Sequence, residues 1–113
     1  MAAVRVNGKA LEFASDRLKN DREVVLEAVR QSGLALEYAS SSLQNDQEVV
    51  LEAVRQDGMA LEWTFPSMKN DREVVLAAVR NNGYAYGMLS DELQDDPEVR
   101  TALKRSRAKG LQF

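Results

Sequence analysis

The chain has 113 residues, 44% apolar and 29% charged, with a formal net charge of −3; this is one small domain's length and the composition of a folded protein, not a disordered one. Cysteine and histidine are absent, which excludes disulfides, thiolate and imidazole catalysis and the usual zinc, haem and iron–sulfur ligand sets, so neither a metal nor a cofactor is expected. No run approaches the roughly 18 apolar residues of a spanning helix, and no signal peptide is recognisable.

The chain opens with Met1-Ala2-Ala3-Val4-Arg5, which aligns with Leu76-Ala77-Ala78-Val79-Arg80. A half-helix is therefore predicted over residues 1–7, either the end of a longer array or an amino-terminal cap. From there a 25-residue step governs the chain. It relates Gly8, Gly33, Gly58 and Gly83, and it carries Leu11 to Leu36 and Leu61, and Asp21 to Asp46, Asp71 and Asp96. Four units follow at 8–32, 33–57, 58–82 and 83–107, with a tail at 108–113. Such self-similarity is the signature of a repeat architecture.

Within a unit, two helices are predicted. In unit two, Ala35, Leu36, Ala39 and Leu43 place an apolar stripe on a first helix of about three turns. Asn45 or Asp46 can cap the next helix, and Pro97 after Asp96 favours the aspartate, because proline prefers the first helical position. The second helix then runs through Val49, Val50, Leu51, Ala53 and Val54. Gly58 is expected to end it in the left-handed conformation. Helices this short are marginal alone and must stack. The prediction is an all-α, short right-handed-type solenoid of stacked helical hairpins, with about eight to nine short helices and no strand.

The string from Asn20 through Asp21-Arg22-Glu23-Val24-Val25 and Ala28-Val29 to Gly33, followed by Ala35-Leu36 and Ala39-Ser40, resembles a helical repeat family catalogued only as a domain of unknown function. The resemblance covers nearly the whole chain. It implies an all-α array of a kind common in algae and other protists, and it implies no activity or ligand residues. Unit four departs most from the pattern. Arg100 and Thr101 replace Val75 and Leu76, and Lys104 replaces Val79.

Departures from the repeat are the clues to function. Phe13, Tyr38, Trp63 and Met88 share one position and form a ladder, either packed between hairpins or presented as anchors on an open face. Thr64-Phe65-Pro66-Ser67 replaces an Ala/Ser-rich stretch, and Pro66 is expected to end or kink the first helix. Tyr84, Tyr86, Gly87 and Met88 follow one repeat on. A partner-binding patch is therefore predicted from Tyr38, Trp63, Phe65, Met68, Tyr84, Tyr86 and Met88; alternatively, the bulky residues compensate for a distorted helix. Residues 99–113 carry five basic side chains and no acid, whereas residues 1–98 hold ten basic and eighteen acidic ones. Lys104, Arg105, Arg107 and Lys109 can reach an anionic partner, or they merely suit the negative end of a final helix.

The acidic body disfavours nucleic acid, whose phosphates need an extended basic stripe. An enzyme is not expected, because the recurring Asp21 and Glu23 positions are explained by helix capping and no phosphate-binding glycine loop is present. The expected function is a non-enzymatic protein–protein interaction scaffold. The alternative is a peripheral structural subunit of a large membrane complex, photosynthetic or respiratory given the algal affinity, in which case a plastid is the compartment considered.

Overall fold

A computed structural model describes residues 8–110, with side chains from Ala10 to Arg107. Each unit contains three pieces. Unit one has a 3-10 helix Gly8–Phe13, a single α-turn α1 (Asp16–Lys19) and a long helix α2 (Arg22–Gln31). Unit two repeats them as Gly33–Tyr38, α3 (Ser41–Gln44) and α4 (Gln47–Gln56), and unit three as Gly58–Trp63, α5 (Pro66–Lys69) and α6 (Arg72–Asn81). Unit four has Gly83–Met88, α7 (Asp91–Gln94) and α8 (Pro97–Gly110). Among the described residues there is no strand. The long helices stack in the order α2, α4, α6, α8, and the 3-10 helices stack beside them. The body is a flat all-α repeat solenoid measuring 41 × 33 × 17 Å. The half-helix expected over 1–7 lies outside the described residues.

The three-turn first helix is corrected to a 3-10 helix, a break and one α-turn. The Ala39 N–H closes back on the Leu36 carbonyl, and the backbone then extends, with ψ of 157° at Ala39 and 158° at Ser40. The freed Ser40 N–H donates to the Lys19 carbonyl of the preceding unit at 2.9 Å. Continuing the helix would forfeit that link between repeats. The same extended pair recurs at Thr64–Phe65 and Leu89–Ser90. Pro66 therefore kinks nothing. It takes the first position of α5 at a break every unit contains, where its fixed φ is suited and its missing N–H costs nothing. Thr64 is buried and satisfied, its hydroxyl donating to the Leu61 carbonyl at 2.7 Å.

Aspartates cap the long helices. Asp21 accepts from the Glu23 and Val24 N–H groups, Asp46 from Val49, Asp71 from Val74, and Asp96 from Glu98 and Val99. The adjacent asparagines instead join units. Asn20 accepts from the Ser40 and Ser42 hydroxyls, and Asn45 from the Ser67 hydroxyl. Leu11, Leu36 and Leu61 on the 3-10 helices, with the valines of α2, α4 and α6, form one continuous core.

The glycine expectation is also corrected. Among the described residues no glycine has a positive φ, and the long helices end instead on extended residues Ser32, Asp57 and Asn82. What requires glycine is proximity. A Cβ on Gly33 would lie 2.3 Å from the Ala53 carbonyl oxygen, and one on Gly58 2.3 Å from that of Ala78. The 3-10 helices of units two and three thus start in backbone contact with their own unit's long helix.

Candidate functional site

The seven predicted partner-binding residues differ in exposure: Phe65 and Tyr84 are exposed, whereas Tyr38, Trp63, Met68, Tyr86 and Met88 are half-buried. On each 3-10 helix the residues at the second and fifth positions share an edge, since such a helix has three residues per turn. That edge is exposed at its fifth position and, in units two and three, half-buried at its second. It carries Leu34 and Glu37 in unit two, Met59 and Glu62 in unit three, and Tyr84 and Gly87 in unit four. Tyr84 is 84% exposed, and a Cβ on Gly87 would meet nothing within 4 Å. Unit four thus exchanges an aliphatic residue and a carboxylate for a bare aromatic ring.

The ladder position is mixed. Phe13 is 86% exposed, whereas Tyr38, Trp63 and Met88 are half-buried against the core. Burial pushes the Tyr38 phenol's pKa up, and the carboxylates of Glu12 and Glu37 add to the rise by charge and hydrogen bonding. Met68 is half-buried on α5, and Phe65 is 40% exposed at its amino-terminal cap position. Tyr86 occupies the position of the core leucines Leu11, Leu36 and Leu61. Its hydroxyl donates to the Gln94 carbonyl, and the Gln94 amide donates to the Tyr86 carbonyl at 3.0 Å. Tyr86 is consequently half-buried against the core, with its polar tip satisfied inside unit four.

The basic residues also divide. Lys104, Arg105 and Arg107 are exposed on α8, so this stretch is helical; the Lys109 side chain lies outside the described residues. Arg100 is engaged locally with the Gln94 carbonyl and Asp95. One member of each predicted set meets in a single place. Tyr84 and Arg107 line a cavity of about 460 Å³ together with Asn81, Asn82, Gly83 and Ser106.

The cavity exists because the joint between units three and four lacks what closes the previous two. In unit two, the Gly33 N–H donates to Oε1 of Gln56 at 2.8 Å, and Nε2 of the same side chain donates to the Gln31 carbonyl at 3.3 Å. In unit three, the Gly58 N–H donates to Oδ1 of Asn81 at 2.6 Å, and Nδ2 of Asn81 donates to the Arg55 carbonyl at 3.0 Å. One carboxamide therefore ties the start of a 3-10 helix to the end of the preceding long helix. The corresponding residue in unit four is Ser106. Its hydroxyl is too short to span both groups, and among the described residues the Gly83 N–H has no such acceptor.

A second substitution widens the same place. Where Ala53 and Ala78 let the backbone close in, unit four has Leu103. The nearest atom to a Cβ placed on Gly83 is a Leu103 methyl at 3.2 Å, followed by Ser106 Oγ at 3.4 Å. Across the joint, the Asn20–Ser42 and Asn45–Ser67 clips are likewise not repeated, because Glu92 faces Asn70. A second, more acidic cavity of about 540 Å³ is lined there by residues including Asn70, Arg72, Asp91 and Glu92.

An ion-pair row still spans this joint. Arg22 pairs with Asp46 and Glu48, Gln47 donates to Asp71, and Arg72 pairs with Asp96 and Glu98. The Arg72 hydrogen bond is the largest cause holding the Asp96 carboxyl below its ordinary pKa. For Asp46, burial acts in the opposite direction but is outweighed by the Arg22 hydrogen bond and the helix N–H groups, so its pKa is lowered too. The position after Asp96 is Pro97, which carries no side-chain donor to continue the row.

Ser106, Leu103, Asn82 and Gly83 were not among the predicted site residues. The available signal was the interruption of two series, Gln31-Gln56-Asn81 by Ser106 and Ala28-Ala53-Ala78 by Leu103. Among the described residues no group of acidic side chains is placed to hold a metal ion, and no helix is long and apolar enough to cross a membrane.

The model of a family described as a domain of unknown function, DUF4116, matches residues 1–44, 22–69 and 46–94. The matches end at the last residues of α3, α5 and α7, one repeat apart. They exclude α8, the helix that supplies Leu103, Ser106 and Arg107. No curated protein and no solved structure matches the chain.

Proposed function

The chain belongs to the DUF4116 family of unknown function, and we propose that it is a non-catalytic protein-interaction scaffold whose binding surface lies at the joint of units three and four. The observation that carries this reading is Tyr84, an 84% exposed aromatic ring at the edge of a cavity that also contains Arg107. Tyrosine and arginine dominate interface hot spots, because each offers a large contact area and fixed polar geometry. The cavity volume suits an inserted side chain or short segment. Lys104 and Arg105 stand exposed nearby on a body that is otherwise acidic, which favours a partner segment with acidic flanks. The tied joints of units two and three support this surface as a stiff platform, limiting the ordering cost of binding.

Selection of displayed peptides on the full chain tests the reading. Recovered peptides should lose about tenfold or more in affinity for Tyr84→Ala and Arg107→Ala, as truncating a hot-spot side chain does. Equal binding to both variants and to the parent chain would contradict it.

Phe13, 86% exposed, favours a second reading, a peripheral structural subunit whose exposed apolar side chains are covered in a larger assembly. Light scattering on the isolated chain separates the two. An interaction module should run as a folded monomer of 12.6 kDa, whereas an obligate subunit should associate or unfold when alone.

A further inference from the structure

We propose that the open joint between units three and four is a receptor slot for a primary carboxamide, the side chain of a glutamine or asparagine in a partner peptide. The inference rests on the reading of this surface as the binding site and names the group that enters it. The molecule itself supplies the template. At two equivalent places a carboxamide is seated, accepting from the Gly33 or Gly58 N–H and donating to the Gln31 or Arg55 carbonyl. At the third place the 3-10 helix start and the end of α6 are both present, but Ser106 leaves the position between them empty and Leu103 holds it apart as part of a 460 Å³ cavity.

The chemistry of the slot selects the ligand. It presents one donor, the Gly83 N–H, and opposite it the carbonyl end of α6, where helix dipoles concentrate negative charge. A carboxamide carries an acceptor and a donor on adjacent atoms of one planar group and satisfies both sides. A carboxylate accepts from Gly83 but can only face the α6 carbonyls with a second lone pair. A trans peptide bond points its N–H and C=O in opposite directions and cannot serve both sides from one edge. Tyr84, beside the opening, covers the aliphatic stem of the incoming side chain. Arg107 lies at the same opening and pairs with an acidic neighbour in the peptide.

The test is a titration of the 15N-labelled full chain with acetyl-Gly-Gln-Gly-methylamide, following the Gly83 amide resonance, alongside its glutamate counterpart. The glutamine peptide should shift Gly83 saturably and bind about tenfold more tightly than the glutamate peptide, the difference of one hydrogen bond. Ser106→Gln should close the slot from within. Its Gly83 resonance should start near the ligand-bound position and not respond to peptide. Ser106→Asn, which copies Asn81, serves if the glutamine variant does not fold. An unmoved Gly83 resonance, or an undiminished response in the closed variant, overturns the proposal. Equal affinity for both peptides overturns the carboxamide assignment alone and leaves the binding-surface reading standing.

Discussion

The Gly58 N–H donates to Oδ1 of Asn81, 23 residues further along the chain, at 2.6 Å, while Nδ2 of the same side chain donates to the Arg55 carbonyl at 3.0 Å. One side chain thus satisfies a donor and an acceptor left over at two helix ends in successive repeats. Asn81→Ala should leave the part-buried Gly58 N–H without its partner, while the exposed Arg55 carbonyl turns to water, and should lower stability by about 1–2 kcal/mol. Ser106→Ala removes no such link and should stay within about 0.5 kcal/mol of the parent. Denaturant midpoints of the two variants check the contrast.

Gly58 and Gly83 occupy the same repeat position but face different neighbours. A Cβ at Gly58 would lie 2.3 Å from the Ala78 backbone oxygen, whereas at Gly83 it meets a Leu103 methyl at 3.2 Å. Gly58→Ala forces backbone apart and should cost about 1–3 kcal/mol, as overpacking does. Gly83→Ala asks only a flexible side chain to move a few tenths of an ångström. Its unfolding midpoint should therefore lie much closer to that of the parent.

Asp46 and Asp96 have folded pKa values below the ordinary carboxylate value, with Arg22 and Arg72 as their respective ion-pair partners. A lowered folded pKa means that the unfolded chain binds protons first on acidification. The contribution is complete above the unfolded value of about 3.9 and is lost as pH falls through the folded values. Unfolding midpoints should hold steady down to about pH 5 and decline below about pH 4. The double variant Asp46→Asn, Asp96→Asn should show a shallower decline, and an unchanged acid limb would contradict the assignment.

Two tyrosines two residues apart should behave differently. Tyr86→Phe removes the hydroxyl bonded to the Gln94 carbonyl inside unit four and should lower stability by about 1 kcal/mol without altering peptide capture. Tyr84→Ala, at an 84% exposed position, should alter capture and leave stability within about 0.5 kcal/mol. Thermal denaturation paired with the peptide-binding assay separates the two roles.

The repeat, its long helices and their aspartate caps were legible because each rests on local chemistry. Valines at helical spacing, Asp before the first turn and Pro97 at a first helical position each carry their meaning within a few residues. The 3-10 helices were not legible, since the extended pair that ends them, Ala39–Ser40, Thr64–Phe65 and Leu89–Ser90, is not carried by any one residue pattern shared between units. The glycines were read as left-handed helix ends, whereas what requires them at Gly33 and Gly58 is contact with the Ala53 and Ala78 carbonyls, which is set by packing rather than by a turn type. Tyr86 was grouped with Tyr84 on residue type, whereas its register with Leu11, Leu36 and Leu61 accounts for its being half-buried where Tyr84 is exposed. Ser106 and Leu103 carried a readable signal, but it appears only when unit four is compared with the others by what each position ties together.

Amide hydrogen exchange at Gly33, Gly58 and Gly83 decides whether the joint between units three and four is open. Gly33 and Gly58, each bonded to a carboxamide, should be protected close to the level of the long helices. Gly83, at the same position but facing the open slot, should exchange at least about tenfold faster, the equivalent of one missing hydrogen bond. Equal protection at all three glycines would mean that the joint between units three and four is closed in solution, and the binding surface assigned to it would have to be abandoned.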